Sequence, residues 1–508
     1  MTDFDFLATH AESLPNKPAA VLGERTLDFA SLNRAANRAA NVFKSLGCEA
    51  GDRIAIMSFN SLEGAEITNG LRRVGMIVVP VNYRLRGPEI AYVLNDSGAR
   101  VVVAGPDHVD AVASAIPEVR GDRRFIAIGE RVPDGWLSYS ALMEGASETP
   151  PTDAVGDGLA PSMIYTSGTT GHPKGAWRPN GVNMANVMQV ISIFDLNQSD
   201  VHLMCGPGYH SGVSFFSALH QLLGATVVIQ PKFEADDALD LIARRGVTTS
   251  FVAPTLLQRL VDAQQQKPRD VSSLRALIIG AAPCPYALKT QAVAVFGQVL
   301  WEFYGATETG INTVLTPEDQ LRKPGSCGTA VPGQEIRLVG TDGEEVAVGE
   351  PGEFMVRNSW LAEYYNRPDA TGKSLHDGFF SVGDVAYKDA EGYYYICDRR
   401  IDMIISGGVN IYPAEVEAVL HAHPSVMDAA VIGVPDEQWG ESVKAVVQLR
   451  PGAKATEDEL IAFCAERLAS YKKPRSIDFV ELLPRDAAGK LLKRDIRVPY
   501  WAATGRRI

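Results

Sequence analysis

The sequence predicts an α/β protein: a large N-terminal domain of layered α/β sheets with a small β-barrel-like section, followed by a small C-terminal α+β domain. Three observations predict it. Short apolar, β-branched runs alternate with segments of helical period through the first half. The texture turns rich in Gly and Pro after about residue 324, and it changes again near residues 396–408.

In chain order, "RIAIMSFN" (53–60), "MIVVPVNY" (76–83) and "ARVVVAG" (99–105) read as buried strands. So do "ATVVIQP" (225–231), "TSFVAP" (249–254) and "RALIIGAAP" (275–283). Between them, 234–246, 255–264 and 285–297 carry helical spacing. The alternation implies a mainly parallel sheet, whose ligands sit beyond the carboxyl ends of the strands. Residues 324–398 read as the short-stranded β-rich section. Beyond them, "AEVEAVLHAHP" and "TEDELIAFCAERLAS" read as helices, and "MDAAVIGVPDE", "SVKAVVQLRPG" and "SIDFVELLP" as strands.

The chain of 508 residues is long enough for two to four domains, and its 46% hydrophobic and 21% charged residues are an ordinary globular composition. A net charge of −13 argues against bulk binding to nucleic acid or to an anionic membrane, because both need a basic face. A small anion is still compatible with a local positive pocket. The six cysteines form no CxxC pair and read as reduced thiols. No apolar run reaches the length of a membrane helix, and no targeting signal is recognised at either end, so a cytoplasmic location is expected.

Chemistry is concentrated in five stretches. "YTSGTTGHPKG" (165–175) follows a strand-like run, and its glycines and hydroxyls suit close approach to phosphate oxygens, with Lys174 as a mobile cation. It is not a Walker loop: its glycine spacing differs and no hydroxyl follows the lysine to hold a metal. The metal ligand must lie elsewhere, and "YGATETG" (304–310) offers Glu308, a hard oxygen donor suited to Mg²⁺. Tyr304 offers a flat face for a base, with Gly305 and Ala306 leaving room beside it. Asp384, in "FFSVGDVAY", is placed to accept from ribose hydroxyls, and Arg399 can reach a ribose or a phosphate. Lys490 follows a glycine in "LPRDAAGKLLKRD".

In this order the motifs resemble those of the adenylate-forming enzymes: acyl-CoA synthetases, luciferases and the adenylation domains of peptide synthetases. The likeness covers nearly the whole chain and is closest to fatty-acid–CoA ligases. It implies joining a carboxylate to ATP, release of pyrophosphate, and transfer of the acyl group to a thiol. Thr166, Ser167, Gly168, Thr169, Thr170, Gly171 and Lys174 would wrap the β- and γ-phosphates. Glu308 would hold Mg²⁺ and Thr307 would touch the α-phosphate. Tyr304 would stack on adenine near Gly280, Ala281 and Ala282. Asp384 and Arg399 would fix the ribose, and Lys490 would bridge the carboxylate and the α-phosphate. The resemblance further implies a large domain over 1–398, a hinge at 399–402 and a mobile lid over 403–508, which rotates between the half-reactions and brings in Gly407 and Gly408. Relatives often carry Asp or Lys where Ile401 stands, so the pivot is an open point.

No carrier domain follows Lys490 in the sequence given, which favours coenzyme A as acceptor. "PDEQWGE" resembles a CoA-ligase pattern with Trp439 lining the pantetheine tunnel. His210, in "GPGYHSGVSFF", resembles the gate of the acyl site, and no aspartate there would pair with a substrate amine. Small Gly212, Ser214, Gly280 and Ala281 with apolar Phe215, Phe216 and Phe251 suit a sizeable hydrophobic acid. A medium- or long-chain fatty acid is the first expectation; an aromatic or steroid-derived acid, or loading of a free-standing carrier protein, are the alternatives. A homodimer is left open. Trp177 and Arg178 depart from the residues expected after the loop.

Overall fold

The computed structural model describes residues 5–152, 162–166, 173–179, 181–399, 402–406, 409–436, 439–485 and 491–502. The chain divides into two compact units. One comprises residues 1–280, 306–310 and 359–373; the other comprises 281–305, 311–358 and 374–508.

The first unit is built on parallel sheet. Six strands of one sheet belong to this unit, in the order Arg25–Asp28, Pro18–Leu22, Thr226–Ile229, Val201–Met204, Thr249–Val252, Ala276–Ile279; the first two pair antiparallel and the rest pair parallel. A second sheet, Ile77–Pro80, Arg53–Met57, Val101–Ala104, Arg124–Ala127, Leu137–Ser138, is parallel throughout. Strands covered on both faces need apolar residues at every position rather than at alternate ones. Val101–Ala104, Thr249–Val252 and Ala276–Ile279 are buried at all four positions. Each of the six runs read as strands contains a strand that ends short of it, and those from Arg53 and Thr249 start where the run does.

The covering helices carry their own start and stop signals. In Phe29–Ser45, Asp28 accepts from the Ser31 amide at 2.7 Å and caps the first turn, while Leu32, Ala36, Ala39, Ala40 and Phe43 form the buried stripe. Ala235–Arg245 has Asp236 and Asp237 in its first turn and Arg244 and Arg245 in its last, matching the helix dipole. A third, small antiparallel sheet joins Ser162–Thr166, Lys174–Arg178 and Glu363–Tyr364.

In the second unit, Glu335–Val339, Gly352–Arg357, Phe379–Lys388 and Tyr394–Arg399 pair antiparallel around Leu338, Phe354, Val356, Ala386 and Tyr394. Towards the C-terminus, Val426–Asp436 and Gly440–Leu449 form a long antiparallel pair, and Ser476–Phe479 adds in parallel. Helices Pro413–His421 and Glu457–Ala465 bury Val416, Leu420, Leu460 and Cys464 into one core with Val431, Val443 and Ala445. Thr456 and Glu459 close a capping box at the start of the second of these helices.

Cys48, Cys205, Cys284, Cys327 and Cys464 are buried and Cys397 is half-buried. Burial pushes Cys205 and Cys464 up to about 11 and Cys327 to about 12, and raises Cys284 as well. Among the described residues, no helix is long and apolar enough to cross a membrane.

Candidate active site

The small antiparallel sheet of the first unit positions the glycine- and hydroxyl-rich stretch. Thr166 ends one strand, Lys174 begins the next, and the two are register partners. Ser167, Gly168, Thr169, Thr170 and Gly171 lie outside the described residues. The strand before them is pinned from behind: the Tyr165 phenol donates to Asp96 at 2.8 Å, and Asp96 also receives Arg367 at 2.7 Å. The Tyr92 hydroxyl donates to the Pro173 carbonyl at 3.2 Å.

Glu308 stands at the centre of this unit's polar cluster and is only 7% exposed. Its Oε1 accepts from the Thr166 hydroxyl at 3.2 Å and from the Tyr364 hydroxyl at 3.0 Å. The Lys174 ammonium lies 4.7 Å from the centre of the Tyr364 ring. The third strand of the sheet brings Tyr364 here, and the Ala362 amide donates to the Glu308 carbonyl at 2.7 Å. Thr307 shares a hydroxyl contact with Ser211 at 3.2 Å. Gly310 completes the turn at φ +71°, with the Trp360 ring where a side chain would begin, so only glycine serves there.

The cluster thus gathers carboxylate, hydroxyl and ammonium groups from three distant stretches. Its hard oxygen donors fit Mg²⁺, which takes few protein carboxylates when phosphates supply the other ligands. Among the described residues, no group of three or more His, Cys, Asp or Glu could hold a metal ion. Tyr364 carries no motif signal, and Ser211, although it follows His210 in "GPGYHSGVSFF", has nothing in the sequence to pair it with Thr307.

Of the residues expected on the acyl side, His210, Gly212 and Ser214 lie at the start of helix Ser211–Leu222. His210 is its N-cap residue, with its ring 4.3 Å from that of Tyr209. Asn60 fixes the preceding loop: its amide donates to the carbonyls of Gly206 (2.8 Å) and Gln230 (3.0 Å), and its oxygen accepts from the Gly208 amide at 2.8 Å. The Ser214 hydroxyl turns back onto the His210 carbonyl at 3.1 Å. Gly212 is needed for close approach, since a Cβ there would lie 2.7 Å from the Phe251 ring. Phe251 is buried and stacks on Phe216 at 5.5 Å. Phe215 meets Trp360 edge-on at 5.6 Å. Gly280 directly follows strand Ala276–Ile279.

In the second unit, the Tyr304 hydroxyl donates to Asp384 at 2.6 Å, and its ring meets Phe354 edge-on at 5.0 Å. Asp384 and Arg399 are register partners on adjacent strands, so the backbone puts the two ribose candidates side by side. Ala281 takes φ +72° in the turn that opens this unit, and Ala282 follows it. Gly305 lies in the strand Leu300–Ala306, whose last residue, Ala306, belongs to the first unit. The Trp439 ring is 39% exposed, with the Arg475 guanidinium 5.3 Å from its centre. Gly407, Gly408, Arg400, Ile401 and Lys490 lie outside the described residues.

The chain matches the AMP-binding enzyme family over residues 7–366 and the AMP-binding enzyme C-terminal domain over residues 415–490. It is 34% identical to a fatty acid–[acyl-carrier-protein] ligase of Streptomyces coeruleorubidus, covering 98% of this chain and 96% of that one. It is 37% identical to a feruloyl-CoA synthase of an Amycolatopsis species, covering 96% of each. ATP-bound MatB from Rhodopseudomonas palustris superposes with a TM-score of 0.87 at 31% identity, covering 98% of both chains.

Proposed function

We propose, from the premise that the chain belongs to the AMP-binding enzyme family and is an AMP-forming acid–thiol ligase, that it activates a hydrophobic carboxylic acid with ATP and passes the acyl group to coenzyme A. In the first step a carboxylate oxygen bonds to the α-phosphorus, the α–β phosphoanhydride bond breaks, and pyrophosphate leaves. In the second, the thiolate bonds to the acyl carbon and AMP leaves. Both steps bring anions together, so fixed donors must face the charge as it develops.

One observation carries this reading: the Glu308 carboxylate held between the Thr166 and Tyr364 hydroxyls, with Lys174 beside Tyr364. Thr166, Lys174 and the loop between them bind the β- and γ-phosphates. Glu308 holds Mg²⁺, which when bound neutralises phosphate charge. Thr307 binds the α-phosphate, and Asp384 and Arg399 bind the ribose, with Tyr304 orienting Asp384 as well as facing the base. Lys490 bridges acid and α-phosphate. Rotation of residues 403–508 about 399–402 then exchanges Lys490 for Gly407 and Gly408, with Trp439 on the CoA side.

For the acid, a medium- or long-chain fatty acid is the first reading, and the fatty-acid-activating relative supports it. A ring-bearing acid is the second. It is favoured by the stacked Phe216–Phe251 pair, whose Phe251 ring packs directly against Gly212.

Acid-dependent exchange of labelled pyrophosphate into ATP tests the first step, and no exchange across a broad acid panel would sink the proposal. Thiol consumption with the same panel, graded by chain length and ring content, names the acid. Acyl transfer to a carrier protein but not to CoA would replace the proposed acceptor.

A further inference from the structure

Arg178 has no part in the roles above, yet it is only 8% exposed, and a buried guanidinium is costly unless it is fully engaged. It ends the strand that begins at Lys174. Its Nε donates to the Trp360 carbonyl at 2.8 Å, and its Nη2 donates to the Thr307 carbonyl. Burial lowers its pKa to about 10, with Glu308 opposing the fall, so it remains a cation at neutral pH. A strand residue whose only task was to fill space would be apolar.

Its two acceptors explain the charge. Thr307 and Glu308 form one peptide step, and Trp360 leads into the segment whose Ala362 amide and Tyr364 hydroxyl both reach Glu308. Arg178 therefore ties the phosphate-loop strand to both segments that present Glu308. Guanidinium suits this task, since its rigid fork serves two carbonyls at fixed angles.

We propose that Arg178 is a positioning residue for the adenylation step, holding the Thr307–Glu308 peptide and the Trp360–Tyr364 segment so that Thr307 and Glu308 meet the nucleotide phosphates and their Mg²⁺. The inference rests on the phosphate and metal roles given to those two residues above. Removing the guanidinium takes the Arg178 donor from the buried Trp360 carbonyl and the part-buried Thr307 carbonyl and lets the Glu308 carboxylate drift from the Thr166 hydroxyl.

The test uses the full chain with Arg178→Met and Arg178→Lys. Calorimetric affinity for ATP is measured with Mg²⁺ and with EDTA, in the absence of any acid. Arg178→Met is expected to weaken Mg²⁺-dependent ATP binding by about 10- to 100-fold, the usual loss when a supporting partner of a metal ligand is removed, and to change binding in EDTA far less. Arg178→Lys should recover part of the loss, because one ammonium cannot reproduce both fork contacts. Equal weakening with and without Mg²⁺, or parental affinity in both variants, overturns the proposal. Circular dichroism checks folding; if the Met variant does not fold, the Lys variant alone decides by the same criterion. An unmodified chain that shows no pyrophosphate exchange with any acid refutes the reaction proposed above, and the ATP-binding arm still decides the role of Arg178.

Discussion

A carboxylate held by two hydroxyls has little freedom, and that is what a metal ligand needs. Glu308 accepts from Thr166 and Tyr364 through one oxygen. Glu308→Ala should therefore raise the Mg²⁺ concentration needed for half-maximal exchange and slow the first step by about 10- to 100-fold. A variant that titrates with Mg²⁺ like the parent would remove Glu308 from the metal. At this scale the sequence was a partial guide. Glu308, Thr166 and Lys174 stand inside recognisable motifs, so they could be named. Tyr364 could not, since it reaches Glu308 from 56 residues away through strand pairing. The unusual Arg178 was visible as a departure from pattern, but its partners lie 129 and 182 residues distant, beyond any local rule.

Helix Ser211–Leu222 and strand Thr249–Val252 carry two further expectations. The His220 Nδ1 lies 2.7 Å from the Phe216 carbonyl, which can only accept, so Nδ1 carries the proton. Nε2 then accepts from the Thr249 hydroxyl at 2.9 Å, whose oxygen accepts from the His202 Nδ1 at 3.0 Å. Both imidazoles are buried and neutral; burial pulls His220 down to about 4 and lowers His202 strongly. Asp200, 3.9 Å from His220, is occupied by Arg275 and Thr248.

The unfolded chain takes up these protons near pH 6.5 and the folded chain does not. Stability is therefore complete above about pH 6.5 and falls towards pH 4, by about 3 kcal/mol through His220. Urea midpoints at pH 7.5 and 5.0 measure this. His220→Gln should flatten the dependence, and a parental slope in that variant would contradict the assignment.

On the same helix, Gly212→Ala forces the Phe251 ring to move, at about 1–3 kcal/mol. It should also change the ranking of acids in kcat/KM, and an unchanged ranking would take Gly212 and Phe251 out of the acyl wall. The strand runs were legible because burial on both faces demands continuous apolar residues. The polar relay beneath them was not, since a lone His or Thr in a strand looks the same whether paired or exposed.

For the molecule as a whole, the two-step reaction makes separable demands on one chain. Lys490→Ala is expected to abolish adenylation and spare thioester formation from a supplied acyl-adenylate. Equal loss of both half-reactions would refute the proposed rotation about residues 399–402. The broad architecture could be read from the sequence because the change from alternating apolar runs to Gly- and Pro-rich turns is a change of composition. The grouping into compact units was less legible: residues 306–310 and 359–373 belong with the first 280 residues, although long stretches of the other unit separate them in sequence.

The buried cysteines have a practical side. Cys48, Cys205, Cys284, Cys327 and Cys464 are shielded and, by their raised pKa values, protonated at neutral pH. A disulfide dye added to the native protein should therefore report free coenzyme A against a background of at most Cys397. The same shielding keeps those five sulfurs from intercepting an activated acyl group meant for the acceptor, so product yield can be read as thiol lost.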